Sequence, residues 1–380
     1  MTRPRYHRGD RLSVAEGGSP VFGDAHQQAQ NRTDPLIFGR TSTASSAEHA
    51  SRLIGLGSYL PTRKVSNADL ASRLDTTDEW IRTRIGIAGR HVADPATATS
   101  DLAVEAGLRA MESARIRHVD AVVLATSTPD HHVPGTAPLV AHRLGLRQVP
   151  AFDIGAGCSG FVYATTVAAG LIHAGSARTV LVIGAEKMSA VIDPADRSTA
   201  PIFGDGAGAV VLTTGAAGEP GALGPAAWGS DGDHADAIQI PDGGSRRPAH
   251  TTGDLHKRYV HMNGSEVFRH AVRRITDVTH ASATAAGWLV QDVDRLIIHQ
   301  ANARISAAVA GRLGLPPERV PSNITHVGNT SAASIPLLLS HCARDGRLEA
   351  GQRVLVSSFG AGFTWAATSL VWPVGLQALA

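Results

Sequence analysis

Aromatic side chains are scarce, at 4% of 380 residues, and there are only two cysteines. With few large rings to fill a core, close backbone approach must shape much of the interior, and the 40 glycines permit it. Two cysteines with no pairing pattern exclude a disulfide-stapled scaffold and point to free thiols in a reducing, cytoplasmic compartment. No apolar run reaches the roughly 18 residues that span a bilayer, so no membrane partner is expected. A formal net charge of +2 gives no global field to attract nucleic acid. What remains is a chain that is 43% hydrophobic and 18% charged, enough to bury a large core in one or two domains.

Residues 1–50 differ from the rest. They are rich in Arg, His, Gln, Ser and Thr with almost no apolar periodicity, and read as a disordered N-terminal extension or an over-long translation start. The lack of a continuous apolar core in this stretch argues against a targeting peptide. Folded sequence is expected to begin near Arg52-Leu53-Ile54-Gly55.

From there the chain repeats itself. The strand-like run Val119-Asp120-Ala121-Val122-Val123-Leu124 is answered 174 residues later by Val293-Asp294-Arg295-Leu296-Ile297-Ile298. Each is followed by a helical stretch closing in Leu-Gly-Leu, at Leu144–Leu146 and Leu313–Leu315. A second pair of apolar strands, from Val180 and Val354, keeps the same offset of 174. Strands alternating with helices imply buried sheets covered by helices, and two fused α/β copies form a cleft at their junction.

Three chemistry-bearing residues fall in loops at these strand ends. Cys158 stands in Asp153-Ile154-Gly155-Ala156-Gly157-Cys158-Ser159-Gly160-Phe161, after an apolar strand and before a helical run. Unpaired N–H groups and the dipole at a helix N-terminus favour thiolate over thiol, the form that attacks an acyl carbon. Read from this segment alone, Cys158 is either that nucleophile or a small buried hydrophobe. His299 ends the strand Leu296-Ile297-Ile298, and Asn329 sits in His326-Val327-Gly328-Asn329-Thr330-Ser331. Each alone is an ordinary hydrogen-bonding residue; their shared placement through the repeat is what points to catalysis. The run Gly204–Gly208 leads into a strand and lacks G-x-G-x-x-G spacing, so it reads as close packing rather than a phosphate loop. Cys342, within a helical run, reads as a core residue.

The segments Ala156-Gly157-Cys158-Ser159-Gly160-Phe161, His299-Gln300-Ala301-Asn302 and Gly328-Asn329-Thr330-Ser331-Ala332-Ala333-Ser334 carry a resemblance. Phe203-Gly204-Asp205-Gly206-Ala207-Gly208-Ala209 and Phe359-Gly360-Ala361-Gly362-Phe363 extend it. From about Arg52 to the C-terminus the chain resembles the β-ketoacyl-ACP synthase III family of thiolase-like condensing enzymes. The resemblance implies an α/β thiolase-like fold of two duplicated halves in a layered α-β-α-β-α core. Residues 51–222 would carry the cysteine, and residues 223–380 the histidine and asparagine. It implies no metal and no cofactor. Its partners would be acyl-CoA, malonyl on acyl carrier protein (malonyl-ACP) and a second copy of the chain.

By the same resemblance Cys158 takes an acyl group from acyl-CoA and passes it to decarboxylating malonyl-ACP. His299 and Asn329 would donate N–H bonds to the malonyl thioester oxygen, while the backbone N–H groups of Cys158 and Ala361 would hold the acyl oxyanion. Ala361 stands where the family often has glycine, which works provided its φ is not positive. Trp80, Arg84 and Arg197 match contacts to the CoA nucleotide; Gly264, Phe268, Asn302 and Arg304 match the pantetheine tunnel and its mouth. Trp80 and Arg84, four apart, can share a helix face. Arg269, Arg273 and Arg274 are expected to make one basic helix face for acidic carrier protein, against the alternative of a solvated charged face. Val133 would reach across a dimer to the partner's pocket. Its small size suits branched or longer acyl groups, while the sequence leaves chain length and pathway open. The competing readings are a relative that hands the acyl group to an oxygen or nitrogen acceptor, and a non-catalytic partner subunit. The second would be expected to lack one of the three polar groups.

Overall fold

The computed structural model describes residues 50–249 and 253–380. The expected N-terminal extension therefore lies, but for its last residue, outside the described residues. Two sheets form the frame. The first has six strands in the order Ala378–Leu379, Ala50–Tyr59, Asp205–Gly215, Thr179–Lys187, Ala121–Ala125, Ala151–Ile154. The second has four, in the order Arg295–Ile298, Arg353–Gly360, Thr364–Val371, Ala227–Ser230.

The strands the sequence shows as apolar runs are buried on both faces. All five residues of Ala121–Ala125 are buried, as are Val180 to Ala185 of the neighbouring strand. Helices cover them. Thr99–Ser113 and Ala137–Arg143 pack on the outer face of the first sheet, and Gly264–Ala285 with Ala303–Leu313 on the outer side of the second. The helices Gly160–His173 and Ser334–Arg344 touch both sheets and form the middle layer. Five layers, α-β-α-β-α, result. The long helix Gly264–Ala285 shows why such helices dock. Its buried Val267, Ala271, Ile275, Val278 and Ser282 recur every three or four residues on one face.

The internal repeat appears in the pairing register. Ala121 is aligned with Val180 in a parallel pair, and 174 residues on Arg295 is aligned with Val354, also parallel. The antiparallel pairs that follow in each copy, Thr179–Lys187 with Asp205–Gly215 and Arg353–Gly360 with Thr364–Val371, keep the same order. The single turns Gly157–Ser159 and Ser331–Ala333 are offset by the same interval, so Ala332 holds in the second copy the place that Cys158 holds in the first. The middle layer fits only because backbones come close. A Cβ on Gly184 would lie 2.5 Å from the Ala332 carbonyl oxygen, and one on Gly208 would lie 2.7 Å from Pro336 Cβ. The second of these accounts for the glycine run at 204–208 as packing.

Candidate active site

Cys158 lies in the single 3-10 turn Gly157–Ser159, directly ahead of the helix Gly160–His173. It opens onto a cavity of about 330 Å³ that His299, Asn329, Ser331, Gly360 and Ala361 also line. Residues separated by more than 200 positions in sequence therefore share one space. Apolar side chains make most of the remaining wall, among them Met188, Phe203, Ile238, Ile275 and Phe359.

The electrostatics differ from the expected stabilised thiolate. Burial pushes the Cys158 thiol up to about 12; the Ser331 side chain beside it opposes the rise, and the nearby Glu186 carboxylate adds to it. The Ser331 side chain and the residue's own N–H favour the anion, but desolvation outweighs them. The resting nucleophile is a neutral thiol. Glu186, fully buried, accepts N–H bonds from Ser127 and hydroxyl bonds from Thr128 (2.8 Å) and Ser331 (2.9 Å). Burial raises its pKa as well. It ties the strand Thr179–Lys187 to the loop that carries Asn329, and its signal in the sequence was a lone acid ending an apolar strand.

His299 is 2% exposed, and burial alone holds its imidazolium form down to about 3, so the ring is neutral. Its Nδ1 lies 2.6 Å from Ser334 Oγ, which also accepts the Gln300 backbone N–H at 3.4 Å. A Ser334 hydroxyl that donates to Nδ1 places the ring proton on Nε2, the tautomer that turns an N–H donor away from Ser334. Asn329 is fixed in a comparable way. Its Oδ1 accepts the Ser331 N–H at 2.9 Å, which leaves the carboxamide NH₂ as the group available to the cavity. Its backbone pairs with the segment Ile202–Gly204, through Asn329 N–H to Ile202 O and Gly204 N–H to Asn329 O.

A second pair of donors comes from the backbone. A Cβ on Gly360 would stand 2.5 Å from the Cys158 nitrogen, and one on Gly157 would stand 2.9 Å from the Ala361 nitrogen. The two glycines thus let the turn at Cys158 and the loop at Ala361 meet with both N–H groups close together. Ala361 is not among the residues with positive φ, so the alanine in place of glycine carries no backbone strain there.

Of the residues matched to CoA and pantetheine, Gly264, Phe268 and Asn302 line the cavity. Trp80, Arg84, Arg197 and Arg304 do not, but the three arginines adjoin residues that do. Ile85 and Ser198 follow Arg84 and Arg197 in the chain and line the cavity, and the Arg304 guanidinium lies 5.8 Å from the Phe268 ring centroid. Trp80 and Arg84 share the helix Asp78–Ile85, both exposed, yet the guanidinium over the Trp80 ring is that of Arg197, at 5.5 Å. Asn302 caps the helix Ala303–Leu313 and bonds the Arg84 carbonyl at 3.3 Å, linking the two groups.

The basic helix face needs correction. Arg269 and Arg273, one turn apart, are exposed, but Arg274 turns inward. It bonds Asp231 Oδ2 at 3.1 Å and lies 4.2 Å over the Trp365 ring, because the 100° step per residue carries position 274 toward the second sheet. Cys342 is wholly buried in the core, as expected. Val133 is 87% exposed and does not line the Cys158 cavity of its own chain.

Comparisons with known proteins find likenesses in sequence and in fold. Residues 152–232 match the family model described as 3-oxoacyl-[acyl-carrier-protein (ACP)] synthase III, and residues 283–372 match its C-terminal counterpart. The chain is 55% identical over 327 residues to β-ketoacyl-[acyl-carrier-protein] synthase III 3 of Streptomyces coelicolor, a match covering 85% of this chain and 98% of that one. Among solved structures, 3-oxoacyl-(acyl carrier protein) synthase III from Pseudomonas aeruginosa PAO1 superposes with a TM-score of 0.81 at 47% identity. That match covers 85% of this chain and 98% of the other. A priming β-ketosynthase from a polyketide biosynthetic pathway superposes with a TM-score of 0.80 at 36% identity, covering 87% and 99%.

Proposed function

The chain belongs to the 3-oxoacyl-[acyl-carrier-protein] synthase III family, and on that premise we propose that it is a decarboxylating condensing enzyme that primes fatty acid or polyketide synthesis. The observation that carries the reading is the opening of Cys158, His299 and Asn329 onto one largely apolar cavity.

In the first half-reaction the Cys158 sulfur attacks the carbonyl of an acyl-CoA. The C–S bond to CoA breaks, the acyl group stays on the enzyme, and the proton lost by the cysteine leaves with the CoA thiol. The N–H groups of Cys158 and Ala361 hold the oxyanion formed on the way. A thiol that is neutral at rest suits a site that must wait for substrate without reacting with other electrophiles. In the second half-reaction malonyl-ACP enters. Loss of CO₂ leaves an electron pair that spreads onto the malonyl thioester oxygen, where the His299 Nε2–H and the Asn329 NH₂ stabilise it. A neutral imidazole keeps that proton as a donor and brings no charge into the cavity. The carbanion attacks the acyl-cysteine, 3-ketoacyl-ACP leaves, and the cysteine sulfur takes back a proton.

Trp80, Arg84, Arg197, Gly264, Phe268, Asn302 and Arg304 are proposed to bind the CoA and pantetheine arm, and Arg269 with Arg273 to dock acidic carrier protein. The same reading takes the enzyme as a cytoplasmic homodimer, and the exposed Val133 supports an apolar contact with a second copy. The division at residues 222 and 223 is proposed as the boundary of the two halves. The test uses labelled acyl-CoA followed by malonyl-ACP. Stoichiometric labelling of the protein, then CO₂ release coupled to loss of label, is expected. Labelling that discharges to oxygen or nitrogen nucleophiles without CO₂ would replace this reading with acyl transfer, and no labelling would leave a scaffold.

A further inference from the structure

Outside the catalytic cavity, three side chains with metal-ligating atoms come together on the outer face of the second sheet. His234 lies in the short helical segment Gly232–Ala237, and Glu266 and His270 lie one turn apart on the helix Gly264–Ala285. One ligand atom from each falls within 4.8 Å of the other two. His234 Nδ1 and Glu266 Oε1 are 2.8 Å apart, and the two imidazole rings have centroids 4.2 Å apart. Neither the thiol chemistry nor the binding of CoA or carrier protein uses them.

From this cluster we infer a divalent transition-metal site, with Zn²⁺ as its fitting occupant. Two imidazoles and one carboxylate are a donor set that zinc takes, and three protein ligands leave a fourth position for water. Tetrahedral zinc with bonds of about 2.0–2.1 Å needs ligand atoms roughly 3.3 Å apart, against the 4.8 Å within which all three lie here. The metal takes the place of the proton between His234 Nδ1 and Glu266 Oε1. The other carboxylate oxygen of Glu266 already accepts the Asn263 amide at 3.0 Å, which orients the group as outer partners orient metal-bound carboxylates. His270 is buried beneath the other two, on the helix face turned toward the second sheet. The competing cation is exposed Arg273, held only loosely at 3.5 Å from His270 Nδ1. His234 and Glu266, with side chains 31% and 24% exposed, provide the entry path.

The location gives the site a consequence. Phe363 packs against both imidazoles, at 5.5 Å from His234 and 5.2 Å from His270, and its backbone is paired with Asp231 just before the His234 segment. Phe363 closes the loop that begins with Gly360 and Ala361 at the cavity wall. A bound metal therefore ties the segment Gly232–Ala237 to the long helix at the two imidazoles on which Phe363 packs.

The full chain, freed of metal with a chelator, is titrated with zinc chloride in competition with a colorimetric zinc indicator. Co²⁺ serves as a spectroscopic probe of tetrahedral geometry. One Zn²⁺ per chain is expected, with a rise in melting temperature that grows with free zinc. His234→Ala and Glu266→Gln, both at partly exposed groups, should weaken binding at least about tenfold and abolish the zinc-dependent rise, as should His270→Ala if it folds. Metal-free melting temperatures of the first two variants near wild type would show that their loss is of ligands and not of structure. Cys158→Ala should bind zinc as wild type does. Absence of stoichiometric binding, binding indifferent to His234→Ala and Glu266→Gln, or binding lost in Cys158→Ala would each overturn the assignment.

Discussion

At the scale of single residues, the account turns on how burial sets protonation. The same desolvation that keeps the Cys158 sulfur as a thiol keeps the His299 ring as a neutral donor. The ring's orientation then depends on Ser334, a residue that touches no substrate in this reading. Ser334→Ala removes the hydroxyl that donates to Nδ1. A hydrogen bond worth about 1–1.5 kcal/mol predicts roughly a tenfold slower CO₂ release with acyl-cysteine formation unchanged. Ser334→Thr should restore most of the rate. An equal loss in both half-reactions would mean that Ser334 supports the site as a whole rather than His299. Cys158 and His299 were legible in the sequence because each follows an apolar strand, and Asn329 because it stands beside a glycine in a loop of the second copy that opens a helix. The direction of the thiol's shift was not legible. It depends on the depth of the cavity and on Glu186, which meet Cys158 only in three dimensions.

At the scale of elements, two loops from different halves approach until only glycine fits between them. The Gly360 position decides whether the Ala361 N–H stands beside that of Cys158. Gly360→Ala places a methyl 2.5 Å from the Cys158 nitrogen, so one of the loops must retreat. Overpacking of this kind costs about 1–3 kcal/mol, which a shift in the denaturant midpoint would measure, together with a slower acylation step. A variant with wild-type midpoint and acylation rate would show that the two donors do not depend on that approach. The helix Gly264–Ala285 gives the opposite lesson in legibility. Its arginines were visible as a cluster, but facing was decided by the packed side. Arg274 found Asp231 and Trp365 there, and left Arg269 and Arg273 to solvent.

At the scale of the whole molecule, the duplicated sheets bury titratable groups that tie stability to pH. An unfolded histidine takes up a proton near 6.5, whereas folded His299 resists until about 3. Below 6.5 the unfolded state therefore binds a proton that the folded state does not, so this contribution is complete above 6.5 and is lost as pH falls towards 3. Glu186 and Asp205, whose pKa values burial raises, act in the opposite sense in acid. At the alkaline end, Cys158 stays protonated in the fold up to about 12 against its ordinary 9.0, so stability is complete below 9 and declines above it. Denaturant midpoints across pH should show the gap between wild type and His299→Gln narrowing from pH 7 to 4. The gap between wild type and Cys158→Ala should narrow above 9. Gaps that stay constant would mean that neither group is shifted by the fold. The layered fold itself was legible in outline, since the 174-residue offset already implied two copies. The return of Ala378–Leu379 to the edge of the first sheet was not, because two residues carry no periodic signal.

The most direct measurement compares His299→Ala and Asn329→Ala with wild type in the separated half-reactions. Both variants should still form acyl-cysteine from labelled acyl-CoA, while CO₂ release from malonyl-ACP falls by about 10²–10³ for each. Decarboxylation at the wild-type rate in either variant would contradict the claim that these two side chains stabilise the negative charge formed as CO₂ departs.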